Sequence, residues 1–366
     1  MKTPWELLKE SKTKIKTTWR IAFVSALVLG LLIHLPVMLS DIPNHDGLSS
    51  MYFDQNMITS GRWFLTVACG FSSYFTIPWV IGLIGLIWLA LTAAVLTEVL
   101  ELTDPVTITV VSGLLVSFPA LASTFAYVFT MDGYMLALFL AVLAVLFTAK
   151  YPRGYLAGAV CLAFSMGIYQ AYLPFTILLC VYKLLLYFME EKGWKEKAKY
   201  VCRYLGMGIA GGVLYYVILQ ILLKLQGKVL DTYQGINSME QMGSGMGILA
   251  TIKGMYVDFL AFTVHGNVLV NNIFSLVACI ILVATVVFLV IRSMICRKWW
   301  KNPAFFVIIV LLGISIPLLT NVILLISPNL TYHLLMRYQW VLYLILMTAF
   351  ADRYTAEESR TDVVLQ

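Results

Sequence analysis

The sequence predicts an all-α, polytopic transmembrane protein, and three features carry that reading. Of 366 residues, 61% are hydrophobic and only 12% charged, against roughly 45–50% apolar and about 25% charged in a soluble domain. The apolar residues gather in runs of roughly 17–22 with almost no charge inside, the length that crosses a hydrocarbon core about 30 Å thick. Lys and Arg collect in alternate connections between the runs, the asymmetry expected of an inserted chain.

About ten spans follow in order, at 21–40, 77–99, 106–122, 133–149, 155–170, 173–189, 204–223, 273–292, 304–326 and 337–351. Residues 1–20 are Lys-rich and lead into the first run without a small-residue cleavage site, so a cytoplasmic basic segment and a retained signal anchor are expected. An even span count puts both termini on one side. The connections on that side hold most of the Lys and Arg, whereas the opposite loops hold only Arg62, Lys224, Lys228, Lys253 and Arg337. The expected organisation is therefore a cytoplasmic segment 1–20, a transmembrane domain 21–352 and a cytoplasmic tail 353–366, in a cell membrane. Two outside loops are long, 41–76 and 224–272. Within the first, Met51–Tyr74 mixes apolar and polar residues at helical spacing, so part of it is expected along the bilayer surface.

Several function classes are excluded or disfavoured. The glycine stretch MGSGMG at 242–247 has no following Gly-Lys-Ser/Thr, so it reads as a flexible loop rather than a phosphate cradle, and no ATP site is visible. The span interiors hold essentially no ionisable side chains, which argues against proton-coupled transport. The six cysteines show no Cys-x-x-Cys spacing and read as small buried hydrophobes. The net charge of +6 belongs to membrane topology, and no nucleic-acid partner is expected.

The chemistry-bearing residues cluster at the outside ends. DIPNHDG places Asn44, His45 and Asp46 just beyond the first span, and Asp132 lies at the mouth of the fourth. A carboxylate at the membrane boundary, partly desolvated, could serve as a general base. Arg62 is the one basic residue of the first outside loop and can bind a phosphate through two parallel hydrogen bonds; Trp63 beside it suits the interface or a sugar face. Tyr127, the turn Tyr169-Gln170-Ala171-Tyr172 and the stretch HLLMRY from His333 to Tyr338 add polar groups. Together they would give one outer cavity an acid, a cation and several hydrogen-bonding groups for a sugar.

Three of these segments resemble a family. NHDGLSSMYFDQNMITSGRWF (44–64), supported by YVFTMDGYMLAL (127–138) and FSMGIYQAYLPF (164–175), is similar to the bacterial glucosyltransferases typified by the O-antigen-modifying enzymes of serotype-converting phages, within the wider type C (GT-C) group. The resemblance implies a GT-C-like membrane enzyme that takes a hexose, glucose by analogy, from a polyprenyl-phosphate donor to an envelope glycan on the extracytoplasmic face. It implies Asp46 as the catalytic acid residue of the first outside loop and Asp132 as a second functional acid. In the resulting mechanism Asp46 deprotonates an acceptor hydroxyl, which displaces the lipid phosphate with inversion. Arg62 and Arg337 would meet the phosphate, and Asn44, His45, Trp63, Tyr127, Gln170, Tyr172 and Tyr338 would line the substrate site. No cofactor is required; outside carboxylates could hold a divalent metal, though nothing in their spacing demands it. The alternative is a transporter or flippase for a lipid-linked substrate, for which an internal inverted repeat would be the sign.

Overall fold

The structure is a computed structural model and describes residues 3, 15–40, 46, 57–69, 77–190, 192–231, 245–296, 303–327 and 330–364. These residues are all-α, with no strand among them. The helices are α1 (Thr17–Leu39), α2 (Leu65–Ala68), α3 (Pro78–Leu100), α4 (Pro105–Ser117), α5 (Pro119–Phe125), α6 (Met131–Lys150), α7 (Gly154–Ile168), α8 (Leu173–Met189), α9 (Trp194–Gln226), α10 (Gly245–Leu260), α11 (Ile273–Cys296), α12 (Pro303–Thr320), α13 (Ile323–Ile326) and α14 (Val341–Val364). Their ends follow local chemistry. Pro78 and Pro105 open α3 and α4, where a missing N–H costs nothing, and Asp104 caps α4 by accepting from the Thr107 N–H at 2.8 Å. Gly227 closes α9 in the left-handed conformation.

Eight helices among the described residues are long and apolar enough to cross a membrane, and α4 with α5 forms a ninth candidate bent by 48°. Every expected span coincides with a helix, although α7 and the apolar part of α12 are short. One candidate was not expected. Gly247–His265 is long and apolar enough to cross a membrane and lies inside the stretch 224–272, expected from the sequence as an outside loop. Its lower apolarity concealed it: Lys253 and Asp258 interrupt the run, and Asp258 is charge-paired elsewhere in the fold.

Helices α1 and α6 flank α3, α7 packs on α6, and α9 packs on α7. The core lies where α3 and α6 meet, with Leu86, Leu89, Ala137 and Leu138 fully buried. The outward faces of α9 and α11 are apolar and exposed; Leu225 is 77% and Phe274 83% accessible, surface suited to lipid and not to water.

The kink between α4 and α5 has a proline cause. Pro119 has no N–H to give the Leu115 carbonyl four residues back, and its ring disfavours the helical conformation at Phe118, which is extended. The released carbonyls are taken up by side chains: the Tyr338 hydroxyl donates to Leu115 O, and His34 Nε2 donates to Val116 O at 2.8 Å.

Glu98 and Glu101 fix one end of the bundle. Glu98 holds Lys16 at 2.6 Å and Lys150 at 2.9 Å, while Glu101 holds Lys183 at 2.6 Å and Arg353 at 2.8 Å. Lys16 precedes α1 and Arg353 lies in α14, so the two outermost helices have these positions at the same end. The extra helix 247–265 removes span parity as an argument for like-sided termini.

Candidate functional site

The described part of the first long loop, Met57–Cys69, is docked into the protein. Met57, Trp63, Leu65 and Cys69 are all buried, whereas Val67 is exposed, so the segment presents one face to the protein and another outward. Two glycines on the partner helices admit it. A Cβ on Gly133 of α6 would collide with Cys69, and one on Gly167 of α7 would meet the Trp63 ring at 2.6 Å. The Phe64 N–H donates to the Gly167 carbonyl at 2.7 Å, locking the segment to the end of α7.

The turn carrying Arg62 is more tightly specified still. Gly61 has φ +78°, a conformation that disfavours any Cβ, and a Cβ there would meet Gln170 Nε2 and the Tyr215 hydroxyl, each at 2.6 Å. Gln170 Nε2 donates to the Ser60 carbonyl at 3.2 Å and to the Tyr215 hydroxyl at 3.0 Å; that hydroxyl donates to the Gly61 carbonyl at 3.0 Å. On the far side, the Asp231 N–H donates to the Thr59 carbonyl at 3.0 Å.

From this turn the Arg62 side chain reaches two tyrosines. Its Nη1 donates to the Tyr134 hydroxyl at 3.5 Å, and its guanidinium carbon lies 5.1 Å from the Tyr169 ring centre. The two rings stack at 4.3 Å, 11° from parallel. Arg62, Tyr169, Gln170 and Tyr215 form one wall of a narrow cleft of about 80 Å³; Leu219, Leu230, Ile323, Ile326, Leu330 and Met336 supply the apolar remainder. A cation therefore sits beside aliphatic side chains in this cleft.

The other expected site residues are placed as follows. Asp132 is buried in the first turn of α6 and accepts from the Gly133 N–H at 2.9 Å. Asp46 is half-buried. Asn44 and His45 lie outside the described residues. Trp63 packs edge-on against Phe164 at 5.2 Å, behind the Arg62 turn. Tyr127 is half-buried beside Phe129. Tyr172 and Tyr338 are buried with ring centres 6.4 Å apart, and Tyr338 is engaged with the α4 carbonyl already described.

Arg337, expected as a second phosphate cation, is paired with a carboxylate in this structure. Its fork meets Asp258 of α10, Nη1 to Oδ2 at 2.8 Å and Nη2 to Oδ1 at 2.6 Å, while the guanidinium carbon lies 3.9 Å from the Tyr332 ring centre and 4.6 Å from that of Phe262. Asn321 Nδ2, at the break between α12 and α13, also donates to Asp258, at 3.1 Å.

Four residues of these arrangements were not singled out from the sequence for the parts they play: Tyr134, Tyr169, Tyr215 and Asp258. The first two fall inside the motifs MDGYMLAL and FSMGIYQAYLPF, so proximity to Asp132 and Gln170 was a usable signal. Tyr215 sits in the apolar run GGVLYYVIL, where its hydroxyl in a span was the only hint.

Comparison with known families bears on this arrangement. A family model described as Glucosyl transferase GtrII matches residues 35–350. No curated protein and no solved structure matches the chain.

Proposed function

Because the chain belongs to the GtrII glucosyl transferase family and is a glycosyltransferase, we propose that it takes glucose from a polyprenyl-phosphate donor to an envelope glycan on the extracytoplasmic side of the cell membrane. The single observation that carries this reading is the cleft in which Arg62 stands beside an aliphatic wall of Leu219, Ile323, Ile326 and Leu330. A prenyl phosphate has that same division, an anionic head joined to an apolar tail. Arg62 meets the phosphate, where a positive charge stabilises the negative charge that develops as the sugar leaves. Tyr134 and Tyr169 hold the guanidinium from behind, and the aliphatic residues take the first part of the tail.

Asp46 acts as general base on the acceptor hydroxyl, which attacks the anomeric carbon as its bond to the phosphate oxygen breaks. The configuration inverts, and the proton passes to the carboxylate. Asp132 is the second acid, buried at the start of α6 two residues before the tyrosine that Arg62 touches. No nucleotide is consumed, because the donor's phosphate link already carries the activation. Arg337 is assigned to holding α10 through Asp258 rather than to the donor.

The distribution of charge supports this side of the membrane. Tyr134 and Lys150 lie sixteen residues apart on α6, about 24 Å at about 1.5 Å per residue, so the Arg62 cleft and the Lys16–Glu98–Lys150 cluster stand roughly one hydrocarbon thickness apart. The Lys-rich end is read as the cytoplasmic one, and this supports cytoplasmic termini with the cleft on the outer side. The test is transfer of labelled glucose from synthetic polyprenyl-phosphate glucose to total envelope glycans, in membranes carrying wild-type protein or Asp46→Asn. Transfer by the wild type alone is expected; failure with every lipid-linked sugar tried would overturn the donor assignment.

A further inference from the structure

We infer that Tyr215 is a positioning residue for donor binding, acting through the Gly61–Arg62 turn; the inference rests on the phosphate role proposed for Arg62. Tyr215 lies on α9, 154 positions from the turn it holds. Its hydroxyl closes a small circuit with Gln170 and the two backbone carbonyls before Arg62. The hydroxyl gives its proton to the Gly61 carbonyl and accepts one Gln170 N–H; the other Gln170 N–H goes to the Ser60 carbonyl. Two successive carbonyls just before Arg62 are thus held by side chains from α9 and from the turn after α7.

The geometry leaves the turn little freedom. Gly61 adopts its left-handed conformation directly against Gln170 Nε2 and the Tyr215 hydroxyl, so rotation of that peptide would break both carbonyl contacts. The Arg62 N–H is fixed as well, donating to the Met57 carbonyl at 2.7 Å. With the backbone held on both sides, the direction in which Arg62 leaves the turn is set by the tie to Tyr215 and Gln170. The Tyr215 ring also lines the cleft together with Arg62, while its centre stands 6.5 Å from that of Trp63. Its ring and hydroxyl therefore have separable duties: the ring fills space and the hydroxyl aims the cation.

Tyr215→Phe separates them, since the ring stays and only the hydroxyl is lost. That change leaves the Gly61 carbonyl and one Gln170 N–H without their partner, and about a tenfold rise in donor KM is expected. Acceptor KM should stay nearly unchanged while the melting temperature of the detergent-solubilised protein falls modestly; a purely structural hydroxyl would lower the melting temperature with no donor-selective change in KM. Kinetics of wild type, Arg62→Ala, Tyr215→Phe and the double variant with polyprenyl-phosphate glucose decide the matter. Arg62→Ala should raise donor KM by itself, and adding Tyr215→Phe to it should have no further effect. If Arg62→Ala leaves donor KM unchanged, the phosphate role of Arg62 falls and the inference with it. If Arg62→Ala raises donor KM but Tyr215→Phe does not, or if the two effects multiply, the positioning role alone is overturned. Should Tyr215→Phe yield no folded protein, Gln170→Met breaks the same circuit from its other member, and the same readings apply.

Discussion

Asp258 and Arg337, 79 positions apart, meet in a two-pronged ion pair that joins the sparsely packed helix α10 to the turn preceding the last helix. The Arg337 side chain is 10% and the Asp258 side chain 27% accessible, so removing either partner strands a charge that water reaches poorly. Either Asp258→Asn or Arg337→Met should lower stability by about 2 kcal/mol, less than the roughly 3–5 kcal/mol of a fully buried pair. Melting of the solubilised protein measures this. The exchanged pair, Asp258→Arg with Arg337→Asp, should recover part of the loss; no recovery would mean that packing against Tyr332 and Phe262, rather than charge, holds the joint.

The same pair shows where sequence reasoning stops. The spans were legible because apolar runs of membrane length admit few other readings, and α1, α3, α6 and α14 fall where the hydropathy put them. The helix 247–265 was hidden because a charged residue in a run is indistinguishable, in one dimension, from a residue in a loop until its partner is known. Arg62 and Gln170 were legible as polar residues in motifs, yet their proximity was not, since it depends on Gly61 and Gly167 admitting two segments more than 100 positions apart. Tyr338 looked like a ligand-binding aromatic; its obligation to a proline-released carbonyl could not be read without the fold.

The two acids assigned to chemistry make a direct prediction. Asp46→Asn should reduce transfer by about 10²–10⁴-fold, the usual worth of general-base help, with unchanged membrane insertion and protein level. Initial rates with saturating donor and acceptor test it, and a rate within twofold of wild type would remove Asp46 from the mechanism. Asp132→Asn should also impair transfer, and normal activity in that variant would leave Asp132 a helix-end residue only.

Gly61→Ala adds one methyl group where the backbone is left-handed and two polar atoms stand in its way. The left-handed conformation alone costs about 1–2 kcal/mol for a residue with a Cβ, and the collision adds to it or shifts the turn. Transfer should fall much further than stability does. Parallel assays of melting and turnover distinguish the two, and a fully active Gly61→Ala protein would show that the turn tolerates rearrangement.

Acid should loosen the end of the bundle opposite the cleft. Burial raises the Glu101 carboxyl, but the hydrogen bond and charge of Lys183, with the charge of Arg353, outweigh it and hold its pKa below the ordinary value. A depressed folded pKa means that the stabilisation is complete above the unfolded value of about 4.3 and is lost as pH falls through the folded one. Glu101→Gln should therefore melt lower than wild type at pH 7, with the gap closing as pH drops below about 4. A constant gap across that range would assign the loss to packing.

The break at Pro119 sets an order of assembly. The Leu115 carbonyl, released by that proline, is answered by a hydroxyl 223 positions later in the chain. At about 5–20 residues per second of synthesis, the kinked pair α4–α5 waits on the order of 10–45 seconds for Tyr338 to be made. The first half of the bundle thus enters the bilayer with an unfinished joint, and the last span is the piece that completes it.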